Sequence, residues 1–488
     1  MKKVLLLVFA AALMLADCVN VTLGEKSSFL DMFKHVINLI DVTEVTEKFF
    51  LDDLPRVLGQ RPCNEFGSFE EYKDFLHGYN SNDEIALSGM KEIITRSGYK
   101  YEEHISEATD GYLTHLTRVV NPLADRSQLK PYPIVFFHGG ASDLNVYLWA
   151  SAKEHWPEKY PRSYRDDGPI TSLNRSVVFM LANNGFDVWL VNTRGSINNQ
   201  KRKPFNKLNK KKRGYWDYSF DDIIEYELGN QLNAVLKHSK SEKVSIFCFS
   251  FSTILLLSFL GQNEQFAKNK VHKLIVQAPL MTNKDMGIAA KLVLHIINAV
   301  PPEVGTPITE LGLFSKITRK TFVELSKDPK RRYTVMKGIN SLIWGSSGQY
   351  RTVMELPFWG HIFLPTSYKQ IKHFAQITFA SNYQKYDYGK KNLQIYGQEH
   401  PPSYDISQIH VKDWLLISGL NDNLGTPLSV DMVLDRVNPK PLAHIKLEGY
   451  HHLDFLSAVD NDELVMLPIL NYLEQLVEVD TYHYNNEL

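Results

Sequence analysis

Short runs of apolar residues alternate with helix-like segments along the chain from Pro133 onward. Inside each run the residues are almost continuously apolar, without the polar alternation of a half-exposed strand. The runs are IVFF (134–137), DVWLV (187–191), VSIFCF (244–249), LIVQA (274–278), WLLIS (414–418) and HIKL (444–447). Strands of this kind are buried on both faces. The pattern therefore predicts an α/β fold with a mostly parallel central sheet and helices on both of its faces.

The clearest helical pattern begins at Ser219 and continues to about His238. Ser219 is a favourable N-cap residue, and acidic residues in the first turn suit the positive end of a helix. Two sets of residues carry this pattern, the acidic Asp221 and Asp222 and the apolar Ile223, Ile224, Leu228 and Leu232. The spacing predicts one helix that covers a face of the sheet.

The alternation of strands and helices stops between about residues 281 and 404. Helical segments such as AAKLVLHIINAV and SYKQIKHFAQITFA follow one another there, separated by Pro and Gly turns. The strand pattern resumes at Trp414, so residues 281–405 are predicted to form a helical module inserted into one domain. We assign the other segments as core (86–280 and 406–478), N-terminal extension (19–85) and C-terminal tail (479–488).

The N-terminus has the pattern of a secretory signal peptide. Lys2 and Lys3 precede thirteen apolar residues, Val4 to Ala16, and small residues suit cleavage near Cys18. A membrane anchor needs roughly 18 or more apolar residues, so residues 1–18 are predicted to be removed. The glycosylation sequons at Asn20 and Asn174 agree with a secreted or lysosomal glycoprotein.

Composition narrows the classes of partner. The net charge is −1, so no overall field favours nucleic acid or an anionic membrane, and the basic run 201–213 is interpreted as a solvated loop. Only three cysteines occur, Cys18, Cys63 and Cys248, so disulfides are not expected to hold the fold. Without Cys and His pairs at ligand spacing, we expect no metal and no cofactor.

Three residues with the chemistry of a serine hydrolase follow predicted strands in the chain order Ser, Asp, His. Ser250 follows the strand ending at Phe249, Asp422 lies in GLND after WLLIS, and a histidine pair lies in EGYHHLDF after HIKL. A hydroxyl nucleophile needs an imidazole base and a carboxylate that orients the base. This order is that of the α/β-hydrolases, although each residue alone also has an ordinary structural reading. Spacing alone does not choose between His451 and His452.

An oxyanion hole is expected beside the serine. Its donors would be the Phe251 amide and the Gly140 amide of FFHGG (136–140), where glycine accepts a strained turn and leaves room for substrate. The turn departs from the G-x-S-x-G pattern, because Cys248 and Ser252 replace both glycines. Both are small, so the turn is expected to form with some strain. The phenylalanines on either side of Ser250 favour an apolar acyl group.

Longer segments resemble the acid lipase family, the α/β-hydrolases that include gastric and lysosomal acid lipases. The resemblance extends from about Ile93 to Leu476. It is carried by GYKYEEHISEATDGYLTHLTR (98–118), NNGFDVWLVNTRG (183–195), YWDYSFDDIIEYEL (215–228), YDYG with YGQEHPPSYDIS, GLNDNLG and YHHLDF. The chain departs from the family at the serine turn, in lacking the cysteines that pair in some relatives, and in about two dozen extra residues after HGG.

This resemblance implies a nucleophile at Ser250, a charge-relay acid at Asp422 and a base at His452. It also implies that residues 281–405 are a cap and lid over an acyl pocket. The expected activity is hydrolysis of triacylglycerols or sterol esters, with transient contact to a lipid droplet or membrane surface and none to nucleic acid. The alternative hypotheses are a weakened, lipid-binding hydrolase fold and acyl transfer to an acceptor other than water.

Overall fold

The computed structural model describes residues 89–140, 142–148, 176–196, 201–202, 214–301, 305, 344–345, 364, 366–458 and 460–475. Several predictions lie outside these residues. They concern the signal peptide, the N-terminal extension, both sequon asparagines, Cys18, Cys63, most of the basic run and the C-terminal tail. Cys248 is described, and it is a buried free thiol.

The described strands form one sheet with the order β1-β2-β4-β3-β6-β7-β8-β9, and β5 pairs with β2. Their bounds are β1 Lys100–Glu107, β2 Tyr112–Val120, β3 Ile134–Phe137, β4 Val188–Val191, β5 Lys201–Arg202, β6 Val244–Phe249, β7 Val271–Gln277, β8 Trp414–Gly419 and β9 Ala443–Leu447. Strand β2 is antiparallel to its neighbours, whereas β4, β3 and β6 to β9 are parallel. Each of the six apolar runs is a strand, and the predicted mostly parallel sheet is confirmed.

Helices cover both faces of this sheet. They are α1 Met90–Arg96, α2 Val177–Asn183, α3 Phe220–Tyr226, α4 Leu228–Ser239, α5 Phe251–Gln262, α6 Glu264–Lys270, α7 Ile288–Ala299, α8 Tyr368–Ala380, α9 Asn392–Tyr396, α10 Pro427–Arg436, α11 Asp454–Ser457 and α12 Leu467–Glu474. Short 3-10 turns occur at Arg126–Gln128, Leu144–Tyr147 and Gly389–Lys391, and a π-helical turn at Asp462–Met466 precedes α12. No helix in the described ranges is both long and apolar enough to cross a bilayer.

Alternate residues of each central strand enter opposite hydrophobic clusters. Phe247 and Phe249 pack in one cluster, whereas Ile246 and Cys248 pack in the other. Full burial of a large apolar side chain stabilises a fold by about 1.5–3 kcal/mol. This two-sided burial explains why the strands lack polar alternation.

The helix predicted from Ser219 to His238 is interrupted at Glu227. Ser219 does cap its start, and Asp222 completes a capping box with it. At Glu227 the backbone is distorted but stays in the right-handed helical region (φ −116°, ψ −53°), and its buried carboxylate accepts a hydrogen bond from the guanidinium of Arg194. The predicted start at Ser219 and end near His238 agree with the structure, and a distortion at Glu227, which apolar spacing does not reveal, divides the segment into α3 and α4.

The described part of residues 281–405 is helical, with α7, α8 and α9 and one isolated bridge between Gln384 and Ser403. Strand β7 ends before this segment and β8 begins after it, yet the two strands pair side by side in parallel. This arrangement agrees with an insertion into one domain. The boundaries at 281 and 405 stay a prediction.

Candidate active site

Ser250 lies at the turn between β6 and α5, at the carboxyl end of the central strands. Its φ of 58° and ψ of −121° are unusual for a residue with a side chain. A conformation of this kind costs about 1–3 kcal/mol and persists only where neighbouring contacts enforce it. The Ser250 amide donates to the Gln277 carbonyl (3.0 Å), and the Ser250 carbonyl accepts from the Thr253 amide (2.9 Å). These bonds hold the hydroxyl at the tip of a sharp turn.

Cys248 and Ser252, which replace the two glycines of the G-x-S-x-G pattern, fit into the turn with ordinary backbone angles. Neither Cys248 nor Ser252 has a positive φ, and both are fully buried. The Cys248 thiol donates to the Ile275 carbonyl (3.4 Å), and burial raises the pKa of that thiol. The Ser252 hydroxyl accepts from the Phe249 amide (2.8 Å) and lies 2.8 Å from the Phe249 carbonyl. The turn forms with these side chains, and its positive φ is confined to Ser250.

Ser250, His452 and Asp422 form a continuous chain of hydrogen bonds. The Ser250 Oγ lies 2.8 Å from His452 Nε2, and His452 Nδ1 lies 2.8 Å from Asp422 Oδ2. All three side chains are buried. A carboxylate beside Nδ1 favours the tautomer whose Nδ1–H donates to it, which leaves the Nε2 lone pair for the hydroxyl. This is the arrangement that activates a serine.

The acid loop is held by its own backbone. Asp422 Oδ1 accepts hydrogen bonds from the amides of Leu424 and Gly425, both at 2.8 Å. Its other oxygen is thereby directed to the imidazole.

The structure places His452, and not His451, beside Ser250. The ring of His451 lies with the Asp454 carboxylate, 3.1 Å from Nδ1 to Oδ2, and this Nδ1 accepts from the amides of Leu453 and Asp454. The alternative that spacing left open is thus decided at the level of geometry. The catalytic role of His452 stays a prediction.

The expected oxyanion loop lies directly against the serine turn. A Cβ atom at Gly139 would approach the Phe249 ring to 3.2 Å, and one at Gly140 would approach the Phe251 ring to 2.7 Å. Neither glycine has a positive φ, so space and not a strained turn requires glycine here. Phe251 is the first residue of α5, where an amide has no intrahelical acceptor. The loop and the first residue of α5 therefore lie against each other beside Ser250, and the oxyanion role of the Gly140 and Phe251 amides stays a prediction.

His138 fixes this loop, a role that the sequence reasoning missed. Its Nδ1 lies 2.7 Å from the Gly139 carbonyl, and its Nε2 accepts from the Thr193 amide (3.2 Å). Burial lowers the pKa of His138, which favours the neutral ring with one donor and one acceptor. The HGG motif drew attention to the glycines, and nothing in its spacing assigns the histidine side chain a partner 55 residues away.

A buried ion cluster is formed by Arg194, the residue that follows Thr193 in the chain. Arg194 has no exposed side-chain surface, and its Nε lies 2.6 Å from Glu227 Oε2. The two terminal nitrogens of Arg194 donate to Asp110 at 2.6 and 2.9 Å, and its guanidinium lies 4.0 Å from the centre of the Tyr112 ring. The three charged residues lie in the segments TDGY, NTRG and EYEL, and no local sequence pattern shows that these segments meet.

Aromatic rings surround the reacting groups. The Phe249 ring centre lies 5.0 Å from that of His452, and the Phe251 ring lies 4.3 Å from Phe374 and 5.5 Å from Phe220. Phe374 belongs to α8, which lies in the predicted inserted module. The surroundings of Ser250 are therefore apolar, as the sequence led us to expect. Over the described ranges, no three His, Cys, Asp or Glu side chains are grouped as metal ligands.

Comparison with known proteins finds similarity to several lipases. Lipase member N of Homo sapiens is 24% identical over 385 residues, which cover 78% of this chain and 89% of that protein. Gastric triacylglycerol lipase of Rattus norvegicus is 25% identical over 397 residues (80% and 92%), and lipase lipl-1 of Caenorhabditis elegans is 25% identical over 408 residues (81% and 93%). No family model matches the chain.

Solved structures were also compared. A soluble variant of monoglyceride lipase from Saccharomyces cerevisiae has a TM-score of 0.40 at 13% identity, covering 78% of this chain and 96% of that one. An esterase from a Rhodococcus species also has a TM-score of 0.40, at 12% identity, with 77% and 99% covered. These scores are low, so the fold assignment rests on the sheet order and strand directions described above. The chain has the α/β-hydrolase fold, and the lipases similar to it confirm its resemblance to the acid lipase family.

Proposed function

We propose that this protein is a serine lipase or esterase that hydrolyses neutral lipid esters through Ser250, Asp422 and His452. The coarse class, a carboxylic ester hydrolase acting on lipid esters, follows from its lipase relatives. The observation that carries the finer proposal is the hydrogen-bonded chain from the Ser250 hydroxyl through His452 to Asp422, with 2.8 Å at each step.

The reaction would begin with attack of the Ser250 Oγ on the ester carbonyl carbon. His452 Nε2 takes the hydroxyl proton as the C–O bond forms, and Asp422 stabilises the resulting imidazolium. The carbonyl oxygen becomes an oxyanion, which accepts hydrogen bonds from the Gly140 and Phe251 amides. One such donor contributes about 10²–10³ in kcat.

Collapse of the tetrahedral intermediate breaks the ester C–O bond and leaves an acyl group on Ser250. The alcohol departs with the proton that His452 had accepted. A water molecule then attacks the acyl carbon while His452 takes its proton, and the second collapse releases the fatty acid and returns that proton to Ser250. Every proton is accounted for by the one imidazole.

An apolar acyl group is the favoured substrate feature. The rings of Phe249 and Phe251 flank the nucleophile, and Phe374 adds a third ring from α8. Binding of a hydrocarbon chain against apolar walls is favourable because it removes apolar surface from water. Such walls provide no hydrogen bond or counter-charge for a charged acyl group. The rat relative is named a triacylglycerol lipase, and triacylglycerols or sterol esters are the substrates that we propose here.

The proposed setting is the secretory route, leading to secretion or to the lysosome. Its support is the N-terminal pattern of Lys2 and Lys3 followed by an apolar stretch, together with relatives named gastric lipases. We further propose that residues 281–405 act as a cap over the acyl pocket and contact a lipid surface transiently. The contribution of α8 to the aromatic surroundings of Ser250 supports this assignment.

The test uses a fluorophosphonate probe, which modifies activated serines, and p-nitrophenyl esters with short and long acyl chains. Triacylglycerol and sterol ester emulsions are assayed in parallel. Wild-type protein should be labelled and should hydrolyse the esters, whereas Ser250→Ala should lose labelling and about 10⁴-fold or more in kcat. Ser407→Ala, at an exposed serine, is the matched control.

Two results would contradict the proposal. One is absence of labelling in folded wild-type protein, and the other is equal hydrolysis by wild-type protein and Ser250→Ala. An unlabelled wild-type protein that still binds lipid esters would instead support the lipid-binding alternative.

A further inference from the structure

Trp344 and Gly345 lie between the loop that carries Asp422 and the loop that carries His452. The Trp344 carbonyl accepts a hydrogen bond from the Asn423 amide (3.0 Å) and another from the His452 amide (3.2 Å). One carbonyl oxygen therefore joins the acid loop to the histidine loop. Both donors belong to residues at or next to the triad.

Gly345 fits between the same loops with no room for a side chain. A Cβ atom at this position would lie 1.9 Å from the Asn421 carbonyl oxygen and 3.1 Å from the Cβ of His451. Its φ of +117° is also one that residues with side chains rarely adopt. A backbone contact of this tightness fixes the distance between the two loops.

The Trp344 indole lies nearly parallel to the imidazole of His452. The two ring planes differ by 11°, and their centres are 6.0 Å apart. Parallel, offset rings of this kind attract each other, and a protonated imidazole is attracted further to an aromatic face. The indole thus restricts rotation of the ring that must exchange protons with Ser250.

The pair comes from residues 281–405, which are distant in sequence from both loops. The strands, the acid loop and the histidine loop would suffice to supply Ser250, Asp422 and His452. The contacts of Trp344 add a support that the core itself does not provide. Ordinary packing accounts for the partial burial of Trp344 against neighbouring apolar residues, but not for its two backbone hydrogen bonds to the Asp422 and His452 loops.

We propose that Trp344 is a positioning residue for His452, held in place by Gly345, so that the inserted module completes the triad. This inference rests on the proposed function, because a positioned base matters only if Ser250 is a nucleophile. Trp344 acts through His452 and takes no part in bond formation. Misplacement of a catalytic group by about 1 Å lowers the rate by about 10²-fold.

The test compares Trp344→Ala, Trp344→Leu and Trp344→Phe with wild-type protein on p-nitrophenyl butyrate. Trp344→Ala should lower kcat by about 10- to 100-fold and leave KM within about twofold, because the loss concerns the chemical step. Trp344→Phe keeps an aromatic face and should recover most of the rate, whereas Trp344→Leu should not. The labelling rate with the fluorophosphonate probe should fall in parallel with kcat.

Gly345→Ala tests the second contact. It should reduce kcat at least as much as Trp344→Ala, because the new methyl group forces the acid loop away from the histidine loop. Gly397→Ala is its matched control, since Gly397 also has a positive φ (+73°) but has no atom within 4 Å of a Cβ. Circular dichroism and thermal melts establish that each variant is folded.

The outcomes separate this inference from the proposed function. A wild-type protein without labelling overturns the proposed function. A labelled wild-type protein whose folded Trp344→Ala variant keeps full kcat, or changes only KM, overturns the inference alone. If Trp344→Ala does not fold, equal rates for Trp344→Leu and Trp344→Phe overturn it, and a lower rate for Trp344→Leu supports it.

Discussion

The two sides of the candidate active site are held in different ways. On the side of the proposed nucleophile (the nucleophile side), Ser250 lies at the turn that follows a central strand, and His138 and Thr193 tie the glycine loop to the buried Arg194 cluster. On the side of the proposed base (the base side), His452 is held by loop backbone bonds and its ring lies parallel to that of Trp344. The sheet core thus holds Ser250 in place, and packing of loops holds His452 in place.

The two sides should differ in the sequence changes that they tolerate. Substitutions on the nucleophile side meet tightly packed strands and buried charges, so they should disturb folding as well as catalysis. Substitutions on the base side should lower the rate before they lower stability.

The largest effect is expected on the base side. His452→Ala removes the proton acceptor and should lower kcat by about 10⁴- to 10⁶-fold. His451→Ala should keep most of the activity, because that ring contacts Asp454 and the neighbouring backbone and does not reach Ser250. Steady-state kinetics with p-nitrophenyl butyrate measure both variants, and the opposite ranking would assign the base to His451.

The next effect tests the nucleophile side through Gly140 and Phe251. Gly140→Ala should lower kcat by about 10²–10³-fold, because the new Cβ displaces the loop whose amide is expected to bind the oxyanion. The same change made together with Phe251→Ala should cost much less, since the ring that it meets at 2.7 Å is gone. Gly89→Ala, with open space at its Cβ, is the control. Equal losses in both backgrounds would show that the Phe251 ring is not the obstacle.

The smallest effect concerns the pH dependence of stability and arises in β9, the strand that precedes the His452 loop. The His444 Nε2 of β9 lies 2.8 Å from the Ser418 hydroxyl of β8. Burial, with a smaller effect of the Lys446 charge, lowers the pKa of His444 from 6.5 to about 4. The unfolded chain therefore binds a proton at a higher pH than the folded chain. Stability present above about pH 6.5 is lost as the pH falls toward 4, by up to about 3 kcal/mol.

Urea unfolding between pH 7 and pH 4 measures this loss. His444→Gln should reduce the dependence by the share of His444, because an amide does not titrate while other buried histidines such as His138 still do, and His400→Gln at an exposed position should leave it unchanged. A wild-type stability that is constant over this range would contradict the prediction.

The sequence predicted the central strands because burial on both faces leaves continuous apolar runs. It also indicated Ser250, Asp422 and the histidine pair as candidate residues, because each follows such a run, and their catalytic roles stay a prediction. It did not reveal His138 with Thr193, Arg194 with Glu227, or Trp344 with His452. Each of these pairs joins residues far apart in the chain, and single-sequence patterns report local periodicity and not long-range partners. The break at Glu227 was missed for the same reason.

The choice of histidine shows what geometry adds. Adjacent residues in a loop differ by only one position in their spacing from the preceding strand, so spacing does not separate His451 from His452. The resemblance to acid lipases favoured His452, and the structure brings that ring to 2.8 Å from Ser250. The role of Gly140 was expected in part for a strained backbone, whereas its φ is ordinary and the demand is for space.

The serine turn also bears on how enzymes of this kind are recognised. Cys248 and Ser252 have ordinary φ values and are fully buried, and only Ser250 has the unusual backbone. Positions 248 and 252 therefore require a small side chain and not glycine itself. A genome search that requires glycine at both positions passes over this chain. A pattern that admits Cys, Ser or Ala two residues before and two residues after the candidate serine, joined to a downstream Asp and His after successive strands, would retrieve it.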